Sequence, residues 1–422
     1  MQLIVILIFI IGYAGIATEH KLKINKAASA IITGVICWLL YFLTQESTHE
    51  AEKVLLEHLG EISAILFFLL GAMTIVEVVD SHNGFKIITD AIRTRSKPVL
   101  LSIVTIITFF LSAILDNLTT SIVMTSLCAK LLHHRRDRLW FASMVIIAAN
   151  AGGAWSPLGD VTTTMLWIGG QITALNIILK TFVPSMLVAI VPMTILMIKF
   201  KDQDIEAIGQ ASGTHPKESS IMLFTGVGML IFVPIFKTLT HMPPFMGMLM
   251  ALGTVWIVSS VLHLQKKPDE RYRLSVANAL QKIDTPSILF FLGILLAVSA
   301  LQSLGILSRI AAFTSEYIRN DYLTGTILGL ISAVIDNVPL VAAAQGMFGM
   351  NIYPTDHVFW EFLALATGTG GSAIIIGSAA GVAVMGIEKI EFFWYLRKIS
   401  WLALTGFFAG LGAYILQQWI TG

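Results

Sequence analysis

The sequence is poor in charged residues, and this shortage excludes a water-soluble protein. Only 13% of its 422 residues are Asp, Glu, Lys or Arg, whereas soluble domains carry about 25%. Hydrophobic residues make up 56% of the chain, and the mean hydropathy is +0.80. Charged side chains are too few to cover the surface of such a chain in water, so we expect an integral membrane protein.

Cysteines and enzyme motifs are also scarce. Cys37 and Cys128 both lie in apolar stretches, and we interpret them as small buried residues, not as a disulfide. The metalloprotease pattern HExxH and the serine hydrolase pattern GxSxG do not occur, which argues against an intramembrane enzyme of either class. The segment 1–18 lacks a basic region before its apolar residues, so we expect a retained helix, not a cleaved signal.

Long apolar stretches are abundant, and they predict an all-α polytopic membrane protein. Two further apolar stretches, 98–132 and 321–350, are each interrupted near the centre by an Asp-Asn pair. Two full crossings in roughly 30 residues would need unusually short helices, so we predict a re-entrant helical hairpin in each stretch. The predicted crossings are 2–18, 24–44, 55–79, 138–170, 173–198, 219–239, 244–263, 287–305, 358–385 and 393–420.

The basic residues predict the orientation of these segments. Six loops contain 22 of the 27 Lys and Arg residues, and the positive-inside rule assigns such loops to the cytoplasm. Hairpin 98–132 then enters from the cytoplasm and hairpin 321–350 from the outer side, with both termini outside. The ten histidines fall in loops or at the ends of crossings. His82, His133 and His134 on the cytoplasmic side could sense pH, but we expect solvated loop side chains. The six loops are 19–26, 79–97, 130–138, 199–218, 263–286 and 386–398.

The chain contains an internal duplication. SAILDN at 112–117 returns as SAVIDN at 332–337, and ILFFL occurs at both 65–69 and 288–292. We predict a first repeat over 1–200, a cytoplasmic linker over 201–218 and a second repeat over 219–422. Each repeat has five crossings and one hairpin. Because five is odd, the second repeat must be inverted relative to the first, as in many secondary transporters.

Each hairpin is followed by a crossing that cannot be a continuous helix. Gly153, Pro157 and Gly159 interrupt crossing 138–170, and Gly371 and Gly377 occupy the corresponding places in crossing 358–385. Unwound backbone at membrane depth is tolerated where it lines a cavity or is buried in protein, and it exposes carbonyl oxygens. We therefore predict two broken helices near one site.

The polar side chains of the hairpin tips and the breaks are oxygen donors, without His or Cys. This chemistry suits a hard cation such as Na⁺ or Li⁺, and it argues against zinc or copper. Asp116, Asp160 and Asp336 are the predicted Na⁺ ligands, and Glu61 is a candidate for a proton path. The predicted cation- and proton-binding residues are Asp116, Asn117, Thr119, Thr120, Asn150, Ser156, Asp160, Thr162, Thr163, Asp336, Asn337, Ser372 and Ser378.

Structural roles for the same residues stay open at this point. The Asp-Asn pairs could cap half-helices, the threonines could bond their own backbone, and the glycine pairs could serve close packing. The carboxylates also predict exchange, because the same oxygens hold either protons or a cation but not both.

The motifs resemble a known family. Segments 112–120, 150–163, 335–339 and 368–372 closely resemble those of the NhaD-type sodium/proton antiporters of the ion transporter superfamily. The resemblance extends over almost the whole chain. It implies two inverted repeats, each with a re-entrant hairpin and a broken helix, in a homodimer with an elevator-like transport motion. The dicarboxylate and citrate branches carry Ser-Asn-Thr at the hairpin tips, whereas this chain has Asp-Asn, which favours a cation.

We therefore predict a carrier, not an enzyme, that exports Na⁺ or Li⁺ in exchange for protons by alternating access. The predicted location is a bacterial inner membrane. No cofactor is expected besides the transported ions, and the expected partners are the lipid bilayer and a second copy of the chain, without nucleic acid. The alternative is a sodium-coupled carboxylate carrier or an arsenite-type anion transporter on the same scaffold. That alternative needs anion ligands, and no Lys or Arg falls near the breaks.

Overall fold

The computed structural model describes residues 2–17, 23–85, 94, 96–201, 203–204, 217–307, 309, 320–334 and 337–421. Regular secondary structure in these residues is helical, which confirms the predicted all-α class. Asp336 and most of the predicted linker 201–218 lie outside the described residues.

The helices of the first half follow the predicted crossings closely. Crossing 138–170 is divided into two helices, as the glycines and the proline predict. The helices are α1 (Gln2–Ala17), α2 (Lys26–Phe42), α3 (Thr48–Ser81), α4 (Lys97–Leu115), α5 (Asn117–Leu131), α6 (Arg135–Gly153), α7 (Val161–Ile168) and α8 (Ala174–Lys199).

The second half has the same alternation of long and interrupted helices. The described helices are α9 (Lys217–Thr240), α10 (Pro244–Leu262), α11 (Pro268–Arg273), α12 (Val276–Lys282), α13 (Thr285–Ser303), α14 (Asp321–Ile331), α15 (Asn337–Met347), α16 (Val358–Gly370), α17 (Ala379–Glu388), α18 (Phe392–Lys398) and α19 (Ser400–Thr421).

Within the described residues, seven helices are long and apolar enough to cross a membrane: α3, α4, α8, α9, α10, α13 and α19. The predicted crossings 138–170 and 358–385 are each divided, into α6 and α7 and into α16 and α17. α1 and α2 are apolar helices of 16 and 17 residues. The chain is therefore a multi-pass membrane protein.

The two predicted hairpins differ in length. α14 and α15 contain 11 residues each, about 16 Å at 1.5 Å per residue, or half of a hydrocarbon core of roughly 30 Å. α4 contains 19 residues and is long enough to cross by itself. Length therefore favours a half-crossing for the second hairpin, whereas for the first hairpin it does not distinguish a re-entrant loop from a crossing.

Packing divides the helices into two groups. α1, α2, α3, α9, α10, α12 and α13 pack mainly against one another, and we call them the scaffold group. The helices α4 to α8 and α14 to α19, which carry the interrupted segments, form the site group. Contacts between the groups run mainly from α13 to α15, with smaller contacts from α3 to α7 and from α9 to α4. The predicted cation-binding residues that the structure describes therefore lie on one side of a boundary between two packed bodies.

Contacts around the two broken helices recur at nearly constant spacing along the chain. The Ser112 hydroxyl donates to the Ala149 carbonyl at 2.6 Å, and the Ser332 hydroxyl donates to the Thr367 carbonyl at 3.0 Å. Each serine thus ties a hairpin arm to the helix before a break. The serines are 220 residues apart and the acceptors 218, so the two halves use the same local connection.

Candidate cation site

The break between α6 and α7 brings Asp160 to the centre of the site group. A Cβ atom on Gly153 or Gly159 would collide with the backbone of the other, so glycine is required for this close approach. The Ser156 hydroxyl donates to the Ala113 carbonyl at 2.5 Å and accepts from the Leu158 amide. Ser156 therefore ties the break to α4, and its hydroxyl is engaged with protein groups.

Asp160 is the N-cap of α7 and is 1% exposed. Its Oδ1 accepts from the Thr162 amide at 2.8 Å and from the Thr162 hydroxyl at 2.7 Å. Its Oδ2 accepts from Asn117 Nδ2 at 2.6 Å, and Asn337 Nδ2 lies 3.4 Å from both oxygens. Side chains from both hairpins, Asn117 and Asn337, thus meet on one carboxylate.

Asn150 joins the two broken helices. Its Oδ1 accepts from Asn117 Nδ2 at 3.1 Å, while its Nδ2 donates to the hydroxyls of Ser372 and Ser378, each at 2.9 Å. Ser378 also caps α17. Asn150, Ser372 and Ser378 are almost completely buried. The network therefore connects α5, α6, the break after α16 and the start of α17.

Asp116 separates α4 from α5 and caps α5. Its oxygens accept from the Thr119 amide and the Thr119 hydroxyl, both at 2.8 Å. Its backbone has φ 87° and ψ 159°, a region that is strained for any residue with a Cβ atom and costs about 1–3 kcal/mol. Such strain persists where the surrounding structure over-determines it, and it marks the hairpin tip as a candidate functional point.

A cavity between the two groups reaches both aspartates. Apolar side chains of α3, including Met73 and Val76, line the scaffold wall, and Asp116, Asn117, Asp160 and Asn337 line the other wall. Lys26, the first residue of α2, and Ser287, near the start of α13, also line the cavity. Both of these residues border basic loops. The cavity therefore leads from the side with the basic loops to the two carboxylates.

The four predicted threonines divide into two kinds. The hydroxyls of Thr119 and Thr162 are hydrogen-bonded to the aspartates that they follow. The hydroxyls of Thr120 and Thr163 are buried and lack a hydrogen-bond partner among the described residues. A buried hydroxyl without a partner costs about 1–3 kcal/mol, and Thr120 and Thr163 are the two of these threonines whose hydroxyls no described protein group satisfies.

Two predicted residues cannot be placed in this cluster. Asp336 lies outside the described residues. Glu61 is on α3, where its side chain is 79% exposed and lies 3.5 Å from His58 Nδ1. The structure brings the remaining predicted residues together in one region and leaves Glu61 on the scaffold surface, where its role in a proton path stays a prediction.

The expectation of solvated histidines is wrong for His82 and His263. They are 4% and 1% exposed, and their rings stack with centroids 4.8 Å apart. The ends of α3 and α10 meet here, and the Ser219 hydroxyl donates a hydrogen bond to the backbone carbonyl of His82. Burial lowers the pKa of both imidazoles. The two histidines are 181 residues apart in the sequence, so no local sequence pattern could have predicted that they pair.

A second buried polar cluster surrounds Glu361. Its carboxylate accepts from Asn176 of α8 and from Tyr414 and Gln418 of α19. Glu361 is 1% exposed. Three donors from two helices satisfy both oxygens, so the carboxylate fastens α8 and α19 to α16. Its position inside a crossing was visible in the sequence, but its partners were not.

The interrupted helices, the buried oxygen-donor network and the cavity together define a multi-pass membrane transporter. Residues 4–370 match the family described as citrate transporter, and the chain belongs to this family. The match covers most of the chain and includes both hairpins and the first broken helix.

Several relatives are named as sodium/proton antiporters. Sodium/proton antiporter 1 of Arabidopsis thaliana is 48% identical over 97% of this chain and 71% of its own length. Sodium/proton antiporter 2 of the same plant is 43% identical over 97% and 98%. The Na(+)/H(+) antiporter NhaD of Vibrio cholerae is 28% identical over 97% and 91%. The predicted kinship with NhaD-type antiporters of the ion transporter superfamily is therefore confirmed.

Proposed function

We propose that the protein is a secondary active antiporter that exports Na⁺ in exchange for protons, with Li⁺ as a second exported ion. One observation carries the proposal. The N-termini of α5 and α7, which face the cavity, are capped by the carboxylates of Asp116 and Asp160. The protein thus places negative charge where the helix ends would otherwise attract an anionic substrate.

The same observation counts against the anion-transport alternative. A carboxylate substrate needs free backbone amides or cationic side chains, and here the amides of Thr119 and Thr162 already donate to protein carboxylates. Lys26 lines the cavity but belongs to the scaffold group, at the first residue of α2. The citrate of the family description is therefore a poor fit to this site, whereas the names of the relatives agree with the exchange of Na⁺ and protons.

We assign the ion to oxygens of Asp116, Asp160 and Asp336, together with the hydroxyls of Thr120 and Thr163. Asn117 and Asn337 hold Asp160 in place. Asn150 holds Asn117, and Ser372 and Ser378 hold Asn150. Na⁺ and protons compete for the carboxylates, so one must leave before the other binds. This competition couples the two fluxes without a cofactor and without enzymatic chemistry.

The cavity supports alternating access. It ends at the side with the basic loops, which the positive-inside rule places in the cytoplasm. The site would then be open to the cytoplasm in this conformation. Movement of the site group past the scaffold group, in the elevator-like manner, would close this path and open one to the outer side. Two inverted repeats, a homodimer, outer termini and a bacterial inner membrane complete the proposal.

An ion panel tests the proposal. The full-length chain is reconstituted into liposomes with an imposed pH gradient, and Na⁺, Li⁺, K⁺ or citrate is added while the internal pH is followed. We expect Na⁺ and Li⁺ to dissipate the gradient and citrate to have no effect. A response to citrate without a response to Na⁺ contradicts the proposal. Protein-free liposomes of the same composition are the control for passive leak.

A further inference from the structure

α5 contains a cluster of buried hydroxyls without partners. Eight buried side-chain polar atoms lack a hydrogen-bond partner among the described residues, and three of them belong to Thr120, Ser121 and Thr125 of this one helix. Ser121 and Thr125 are completely buried. Buried hydroxyls in helices normally donate to the carbonyl four residues earlier, as Thr108 and Thr181 do here. The hydroxyls of α5 depart from this pattern.

Ser121 and Thr125 lie on the helix face that begins at the ion site. Residues four apart in a helix are stacked on one side, so Ser121 and Thr125 continue the line that starts at Asn117, whose amide donates to Asp160. This line is buried because α5 packs against α6 and α17. A polar line therefore runs from the carboxylate of Asp160 into the interior of the site group.

The far end of the line reaches a buried carboxylate. Cys128, one turn beyond Thr125, is 1% exposed, and α5 packs against α17, the helix that carries Glu388. The Glu388 side chain is 5% exposed and accepts from Arg138 Nε at 3.1 Å. Glu388 is the last residue of α17, on the side with the basic loops. The Glu388 carboxylate thus lies between the buried line and the basic loops, where it is bonded to Arg138.

We propose that Ser121 and Thr125 form a proton route between the aspartates of the ion site and Glu388, separate from the cavity that admits the cation. Side chains one turn apart are about 5–6 Å from each other, too far for a direct hydrogen bond and within the span of one water molecule bonded to both. The inference rests on the proposed exchange of Na⁺ and protons.

The transfer is balanced at each step. A carboxylic acid at the ion site releases its proton to the chain of hydroxyls, and each hydroxyl accepts one proton while it passes its own proton onward. The carboxylate of Glu388 receives one proton and then releases it to the aqueous side. Ser121 and Thr125 stay neutral after each transfer, and their role is to hold the hydroxyl groups of the relay in place. Cation entry needs no part of this route, since Asp116 and Asp160 line the cavity directly.

Two transport modes of the reconstituted full-length chain test the route. Na⁺ uptake driven by a pH gradient requires proton release, whereas exchange of labelled Na⁺ for unlabelled Na⁺ does not. For the double variant Ser121→Ala with Thr125→Val, we expect the proton-coupled rate to fall at least fivefold and the Na⁺/Na⁺ exchange rate to stay within twofold of wild type. Glu388→Gln should give the same separation.

Matched variants separate the relay from a packing effect. Thr105 on α4 is also buried and without a partner, so Thr105→Val should leave both rates unchanged. Thr125→Ser keeps the hydroxyl and should retain the proton-coupled rate. An unchanged proton-coupled rate in the double variant, or an equal fall of both modes, overturns the route. Absence of Na⁺-dependent proton flux in the wild type instead contradicts the proposed function itself.

Discussion

Asp160 combines two roles that are usually separate. It caps α7 through hydrogen bonds with Thr162, and it presents a carboxylate to a cavity within the membrane. An ionised carboxylate at membrane depth is costly and usually marks an ion or proton pathway. A neutral cap would hold α7 equally well, since Asn caps helices as effectively as Asp. In the proposed function, the charge of Asp160 serves the ion, because the fold needs only the cap.

Asp160→Asn separates the two roles. We expect at least a hundredfold loss of Na⁺-dependent proton flux, because the charge is lost. The cap of α7 remains, and the melting temperature should fall only modestly, because the new amide group faces the Asn117 donor that Asp160 Oδ2 now accepts from. The control is Asp356→Asn. Asp356 accepts from the Thr173 amide at 2.6 Å and the Thr173 hydroxyl at 2.8 Å in the same way, but far from the cavity. Full exchange in Asp160→Asn would remove Asp160 from the site.

At the scale of elements, the breaks within helices were predictable from sequence, whereas the contacts between the ends of distant helices were not. Glycine and proline interrupt a helix through local backbone properties, so 138–170 and 358–385 could be recognised as broken from sequence. The stacked pair of His82 and His263 depends on the ends of α3 and α10 meeting in space. His82 Nδ1 lies 2.6 Å from the Val78 carbonyl, and the Nε2 atoms of His82 and His263 lie 3.2 Å apart.

This pair predicts a pH-dependent stability. Burial lowers the pKa of both imidazoles below the ordinary value of 6.5, and the Glu218–Lys266 ion pair lies beside them. The unfolded chain therefore binds more protons than the folded chain below pH 6.5, and stability falls as the pH decreases through that value, by up to about 1.4 kcal/mol per pH unit for each histidine.

Thermal unfolding of the detergent-purified protein between pH 8 and pH 5 measures this effect. We expect the melting temperature to fall toward pH 5 in the wild type and to fall less in His82→Gln with His263→Gln. His241 is exposed at the end of α9, so His241→Asn should behave like the wild type. Equal slopes in the wild type and the double variant would contradict the prediction.

At the scale of the whole molecule, the cavity lies between two packed bodies of different composition. The scaffold wall is mainly apolar, with Lys26 and Ser287 as its polar members, whereas the site group contributes the carboxylates and amides. A boundary of this kind permits sliding, because apolar side chains form few directional contacts that must break. The hydrogen bonds of Asn150 instead lie inside the site group and hold its parts together during such a movement.

Sidedness of the cavity is testable with a single cysteine. Ala379, the first residue of α17, lines the cavity, and both native cysteines are buried. We expect Ala379→Cys to react with a membrane-impermeant maleimide from the cytoplasmic side only. Met350, which is 39% exposed after α15, lies in a loop predicted to be outside, so Met350→Cys should react from the outer side only. The reverse pattern would contradict the proposed orientation.

Sequence alone was sufficient for the membrane class, the position of both interruptions and the oxygen-donor character of the site. These properties depend on composition and on local backbone preferences, and both can be inferred from each short stretch of sequence by itself. Tertiary structure decided which oxygens meet. Asn117 and Asn337 meet Asp160, and Asn150 meets Ser378. The same packing leaves Glu61 on the surface and buries His82 and His263. Such contacts depend on how helices distant in sequence pack together, and no local pattern encodes that packing.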